Sequence, residues 1–146
     1  MLIETLKSLF NRDLNKLKVE IESYQNESQI WIIDKNISNS AGNLCLHLIG
    51  NINTYIGAEI GTTGYIRNRP LEFSLKDVPR PELISKINDT ILVVNNTLDS
   101  LTEDDLKAIY PQIVFEKEMT TGFFFVHLAT HLAYHLGQIN YHRRLV

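Results

Sequence analysis

Three observations predict an all-α fold, a four-helix bundle taking up residues 1–146 as one domain. Apolar residues return at steps of three and four in long segments, the period of a helix with one buried face. No stretch that alternates apolar and polar residues is long enough to build a sheet. The composition, 44% hydrophobic with 7 glycines and 4 prolines in 146 residues, fits one compact domain rather than a tandem array or a disordered chain.

The first helix follows from Ile3, Leu6, Phe10, Leu14, Leu17, Ile21 and Tyr24, with Lys and Glu between them, and ends near Tyr24. Residues 25–39 then connect, and the apolar Trp31-Ile32-Ile33 is expected to lie over the bundle as a packed loop. Asn39-Ser40 offers an N-cap for the second helix, which carries Leu44, His47, Leu48, Asn51, Ile52, Tyr55 and Glu59 on one side before Gly61 or Gly64 closes it. Gly42, Gly50 and Gly57 lie inside that helix, where glycine costs roughly 1 kcal/mol against alanine, so they are expected to admit another helix or a dimer mate.

Thr62 to Val78 reads as a loop whose roughly seventeen residues could span ~50 Å, enough to cross a bundle lengthwise. Pro79 and Pro81 open the third helix, where Ile84, Ile87, Ile91, Val94, Leu98 and Leu101 form a bundle seam. The acidic turn Thr102-Glu103-Asp104-Asp105 starts a short helix that Tyr110-Pro111 stops. Thr120-Thr121 caps the last helix, which runs to about Arg144.

A formal net charge of −3 with mixed signs provides no basic stripe, which argues against nucleic acid as a partner. The start, Met1-Leu2-Ile3-Glu4-Thr5-Leu6-Lys7, reads as an amphipathic helix, and no apolar run approaches the ~20 residues of a membrane span, so a cytoplasmic protein is expected. The single Cys45 excludes an internal disulfide. It stands about 200° around the helix from His47 and reads as a small buried apolar residue.

The chemistry concentrates in the last helix. His127, His131 and His135 recur every four residues, a ladder whose rungs differ by about 40° of azimuth and ~6 Å of rise. Adjacent rungs can share one ion, whereas the outer two, ~12 Å apart along the axis, cannot, since each imidazole needs a bond of ~2.1 Å. A further ligand must come from elsewhere. Of the two remaining histidines, His142 lies near a chain end where a helix frays, so His47 is the better choice. The ladder borders the buried stripe of Phe124, Leu128, Leu132 and Ile139, and imidazoles turned toward a core need partners that a cation supplies. If the second and last helices pack antiparallel, His47 comes level with the ladder; parallel packing would separate them by roughly 6–12 Å.

A second-helix histidine followed far downstream by H-x3-H-x3-H-x-G-Q resembles the DinB superfamily, which includes YfiT-type proteins and bacterial thiol transferases. The likeness covers the whole chain; within the superfamily, Asn39-Ser40-Ala41-Gly42-Asn43-Leu44, His47-Leu48-Ile49-Gly50-Asn51, Gly61 to Tyr65 with Arg67, and His135-Leu136-Gly137-Gln138-Ile139-Asn140-Tyr141-His142-Arg143-Arg144 resemble a subfamily of unassigned function. It implies an up-down-down-up bundle, frequently a homodimer, with a divalent metal held by His47, His131 and His135. Zinc and nickel lead among the metals, with iron and manganese also open. His127 then either supports a ligating ring from behind or faces substrate.

Three neutral imidazoles leave coordination positions open, the mark of a reactive rather than a closed structural site. Tyr55, Asn51, Gln138, His127 and Tyr134 are candidates to accept from the outer N–H of the ligating rings, and His127 and Tyr134 to act on substrate. Arg67, Arg69, Arg143 and Arg144 are basic; Arg67 and Arg143 are the candidate contacts for the carboxylates of a low-molecular-weight thiol. Glu72 is a candidate partner for Arg67 or Arg69. The expected activity is thiol S-transfer to small electrophiles; metal-assisted hydrolysis and a non-catalytic dimer with a stabilising metal are the alternatives.

Overall fold

The computed structural model describes residues 1–146 and is all-helical, with no strand. Six α-helices follow one another: α1 Leu2–Glu22, α2 Ala41–Ile52, α3 Arg69–Ser74, α4 Arg80–Asp99, α5 Glu103–Lys107 and α6 Thr121–Leu145. No helix is long and apolar enough to cross a membrane.

α1 buries Ile3, Leu6, Phe10, Leu14, Leu17 and Ile21, the stripe that its spacing predicts. The next segment differs from the expected loop. Glu27–Trp31 is a 3₁₀ turn closed by an Asn26–Gln29 capping box, and it buries Trp31 while Ile32 and Ile33 stay exposed. Trp31 explains Gly42, because a Cβ there would stand 2.6 Å from the indole ring.

Ser40 caps α2 by accepting from Asn43 N, and every residue of the helix is buried. Beyond Ile52 the chain widens into π-helical turns over Asn53–Ala58, with Gly61 N donating to Ile56 O at 2.9 Å. The helical run ends where Thr62 and Gly64 take positive φ, +51° and +79°. Gly50 faces the Glu72 carboxylate and Gly57 faces Val93, so these glycines make room for the chain's own side chains.

The expected loop from Thr62 to Val78 contains α3, opened by Asn68 with a proline in its first turn. This strap packs on α2, where Asn43 Nδ2 donates to Glu72 O and Leu75 O at 2.9 and 2.8 Å. On α4 the buried stripe is Leu83, Ile87, Thr90, Val94, Thr97 and Leu98, so it is rotated from the predicted seam by including two threonines. Asn53 Nδ2 donates to Thr90 Oγ1 at 2.9 Å, which gives both buried polar groups a partner.

Contacts between the long helices fix their directions. Lys7 meets Asp99, Asn11 meets Asn95 and Lys18 meets Asn88, so α1 and α4 run oppositely. Gly122 lies against Leu2 and Tyr24 meets His142, so α1 and α6 run together. Asn53 meets Thr90 while Gly61 faces Thr97, so the α2 run and α4 share a direction. His47 meets His131 and Tyr55 packs on Phe124, so α2 and α6 are antiparallel. That last pairing is the one that the histidines require.

Candidate metal centre

α2 and α6 each contribute a helix face. His47 Nε2 lies 3.3 Å from His131 Nε2, and His135 Nε2 lies 3.1 Å from the same atom. The three side chains each offer one nitrogen within 4.8 Å of the others, a group that could hold a metal ion. Two bonds of about 2.1 Å meeting at a tetrahedral angle put their nitrogens about 3.4 Å apart, close to both contacts.

The outer imidazoles are locked from behind. His47 Nδ1 stands 3.1 Å from Glu72 Oε1, so Nδ1 carries the hydrogen and donates to the carboxylate. His135 Nδ1 likewise donates to Gln138 Oε1 at 2.7 Å. With both outer rings protonated at Nδ1, their Nε2 lone pairs converge on His131 Nε2. One hydrogen on His131 serves at most one of them well, whereas a cation satisfies all three, so the donor set fits a divalent metal.

Electrostatics favour the neutral forms of His131 and His135. Burial, then the neighbouring His135 and His47, push the His131 pKa down to about 4. Burial also lowers His135, against an opposing bond to Gln138. Burial alone would raise the Glu72 carboxyl, but its bonds from His47 and Arg67 outweigh that and hold it below the usual range. Arg67 grips Glu72 with two prongs, Nε to Oε2 at 2.8 Å and Nη2 to Oε1 at 3.0 Å. Phe73 packs on the His47 ring with centroids 5.0 Å apart.

The remaining predicted residues take other positions. His127 stays outside the cluster, its ring parallel to Phe124 and edge-on to Phe115. Tyr134 is 66% exposed with its ring against that of His135. Arg67, expected as an anion contact, has its guanidinium occupied by Glu72 and lies over the Tyr55 ring. Arg143 gives its own to Glu20 on α1 at 2.6 Å. Arg69 lies over Phe73 and Arg144 over Tyr141. Of the candidates to hold an imidazole, Gln138 does so; Asn51 does not, since its Oδ1 has no partner. Cys45 is fully buried, and desolvation pushes its thiol up to about 12.

Two residues depart from sequence reasoning. His142 is buried rather than frayed, held between the Tyr24 hydroxyl at 2.7 Å and Ile32 O at 2.8 Å. Glu72, read as a partner for an arginine, also fixes His47. A carboxylate in an otherwise ordinary connection was the only sequence signal for that second role.

A cavity of about 530 Å³ borders the centre on the His135 side, lined by Leu44, Tyr134 and Gln138 among others. A larger one, about 770 Å³, lies between α1 and α6 and includes none of the histidines. The model of a family described as a protein of unknown function (DUF1572) matches residues 2–146. No curated protein matches the chain.

Proposed function

The chain belongs to this family of proteins of unknown function, DUF1572, and from the geometry of its histidines we propose a divalent-metal protein with His47, His131 and His135 as ligands. We read its activity as thiol S-transfer from a low-molecular-weight thiol to a small electrophile. The observation that carries the metal assignment is the convergence of two locked Nε2 lone pairs on a third imidazole, at 3.3 and 3.1 Å.

The helix directions described above support an up-down-down-up four-helix bundle of the DinB type, with the Thr62–Val78 strap as its crossover. When bound, a divalent ion supplies Lewis acidity that lowers the pKa of a thiol toward neutral pH. The chain's own residues do the rest. Glu72 and Arg67 set the His47 ring, Gln138 sets the His135 ring, and burial keeps the His131 lone pair free of a proton at neutral pH. The 530 Å³ cavity beside His135 falls within the size range of small-molecule sites.

Zinc- or nickel-loaded protein, assayed with a panel of cellular thiols and a fluorogenic alkylating electrophile, should conjugate at least one thiol in a metal-dependent manner, and His131→Ala should not. A fully loaded protein that never exceeds the uncatalysed rate would contradict the transferase reading while leaving the metal site standing.

A further inference from the structure

The outer face of α6 differs from those of the other long helices. α1 presents Arg12, Lys16 and Glu22 to solvent and α4 presents Glu82, Asp89 and Asp99, whereas α6 contains no aspartate, glutamate, lysine or arginine from Thr121 to His142. What it exposes there is apolar or small. Phe123 is 63%, Tyr134 66% and Tyr141 65% exposed, with Val126, Thr130, Ala133 and Gly137 between them. Thr130 donates its hydroxyl to His127 O at 2.7 Å, which leaves no donor on that face, and a Cβ added at Gly137 would meet nothing within 4 Å. An uncharged face of this length on an otherwise charged surface marks an interaction site.

Two features select a second copy of the chain as the partner. The first is symmetry. A two-fold contact brings a surface against itself, so the surface must complement itself about the axis. Phe123 and Tyr141 each lie nine residues from Leu132, and Thr130 and Tyr134 each lie two residues from it. When two α6 helices run antiparallel and level at Leu132, the Phe123 ring of one copy meets the Tyr141 ring of the other at both ends, and the bulk of Tyr134 meets the smaller Thr130 in the middle. The second is area. The exposed side chains of this face, with Val19 of α1 across the groove that Ala133, Leu136 and Gly137 line, present roughly 800 Å², the area each partner buries in a stable complex of standard size.

We propose that the chain forms a two-fold homodimer in which the outer faces of the two α6 helices pack antiparallel, centred at the level of Leu132. The small residues at the centre let the helix backbones approach, and the aromatic rings at the ends close the contact. It covers Tyr134, whose ring packs against that of His135, so the histidine cluster of each copy lies beside the interface. The dimer stands independently of the metal reading.

Sedimentation equilibrium of the native chain should give twice the 16.8 kDa of one copy at about 50 μM. Ala133→Glu and Tyr141→Glu, both at exposed positions and each checked for helicity, should weaken the dimer by about tenfold or more, since the two-fold axis buries each introduced charge twice. Leu92→Glu, on the exposed side of α4, should leave it unchanged. Oxidative cross-linking reads the orientation, with the native Cys45 buried and out of reach. Ala133→Cys, beside the axis, should link to its own copy, and Phe123→Cys, about 27 Å from its mate along the helices, should not. A native chain that stays monomeric leaves the face to a different partner and overturns the proposal. A dimer unaffected by both glutamates, broken by Leu92→Glu or linked equally at both cysteines overturns it as well.

Discussion

At the scale of single residues, Glu72 and His131 govern the site in opposite ways. Glu72 is charged, buried and fully engaged, and removing it frees the His47 ring to turn while leaving Arg67 without its partner. Loss of a hydrogen-bonding partner behind a metal ligand typically costs about 10–100-fold in affinity. Glu72→Ala should therefore weaken zinc binding by about that factor in a chelator competition, and unchanged affinity would separate the carboxylate from the site. His131 acts through neutrality. Its folded pKa of about 4 lies below the unfolded value near 6.5, so between these the unfolded chain binds the extra proton. The contribution is fully present above about 6.5 and is lost as pH falls toward about 4. Denaturant titrations of metal-free protein at pH 7, 5.5 and 4.5 should show stability falling across that window, more steeply than in His131→Gln. Equal slopes would contradict it.

At the scale of elements, the long helices were legible and the short ones were not. α1 and α6 declare themselves through repeated apolar turns and, at α6, the Thr120 cap. α3 has six residues, too few for a period to emerge, and its place over α2 depends on Asn43 reaching two carbonyls far along the chain. The 3₁₀ turn of Trp31 is equally non-local, its indole seated on Gly42. The histidine ladder on α6 was legible because it is a spacing within one helix. Glu72 behind His47 was not, because a tertiary contact between strap and helix leaves no pattern in the sequence. Gly50 joins those two elements: a Cβ there would stand 1.9 Å from Glu72 Oε2, and that oxygen is held by Arg67. Gly50→Ala should cost about 1–3 kcal/mol in stability, the range for overpacking, and reduce metal affinity as Glu72 is displaced. A neutral effect on both would show that the strap shifts freely.

At the scale of the whole molecule, the centre exists because α2 and α6 are antiparallel neighbours, an arrangement stabilised at both ends of α6. At its start, Thr121 N donates to Ala108 O at 2.8 Å and the Phe124 ring packs against Tyr110. At its end, His142 ties the helix to Tyr24 and to Ile32 O. His142→Phe removes the partner of Ile32 O and leaves the Tyr24 hydroxyl only its long bond to Ile139 O at 3.5 Å, and should cost about 1–3 kcal/mol in chemical denaturation without changing metal content per folded chain. Retained stability would assign the end of α6 a lesser part. The central claim concerns which histidines meet, and metal stoichiometry by elemental analysis tests it most directly. The native chain, His127→Ala and His142→Ala, each checked for folding, should carry about one divalent ion per chain, and His47→Ala, His131→Ala and His135→Ala should carry far less. Full occupancy in His47→Ala, or its loss in His127→Ala, would contradict the site described.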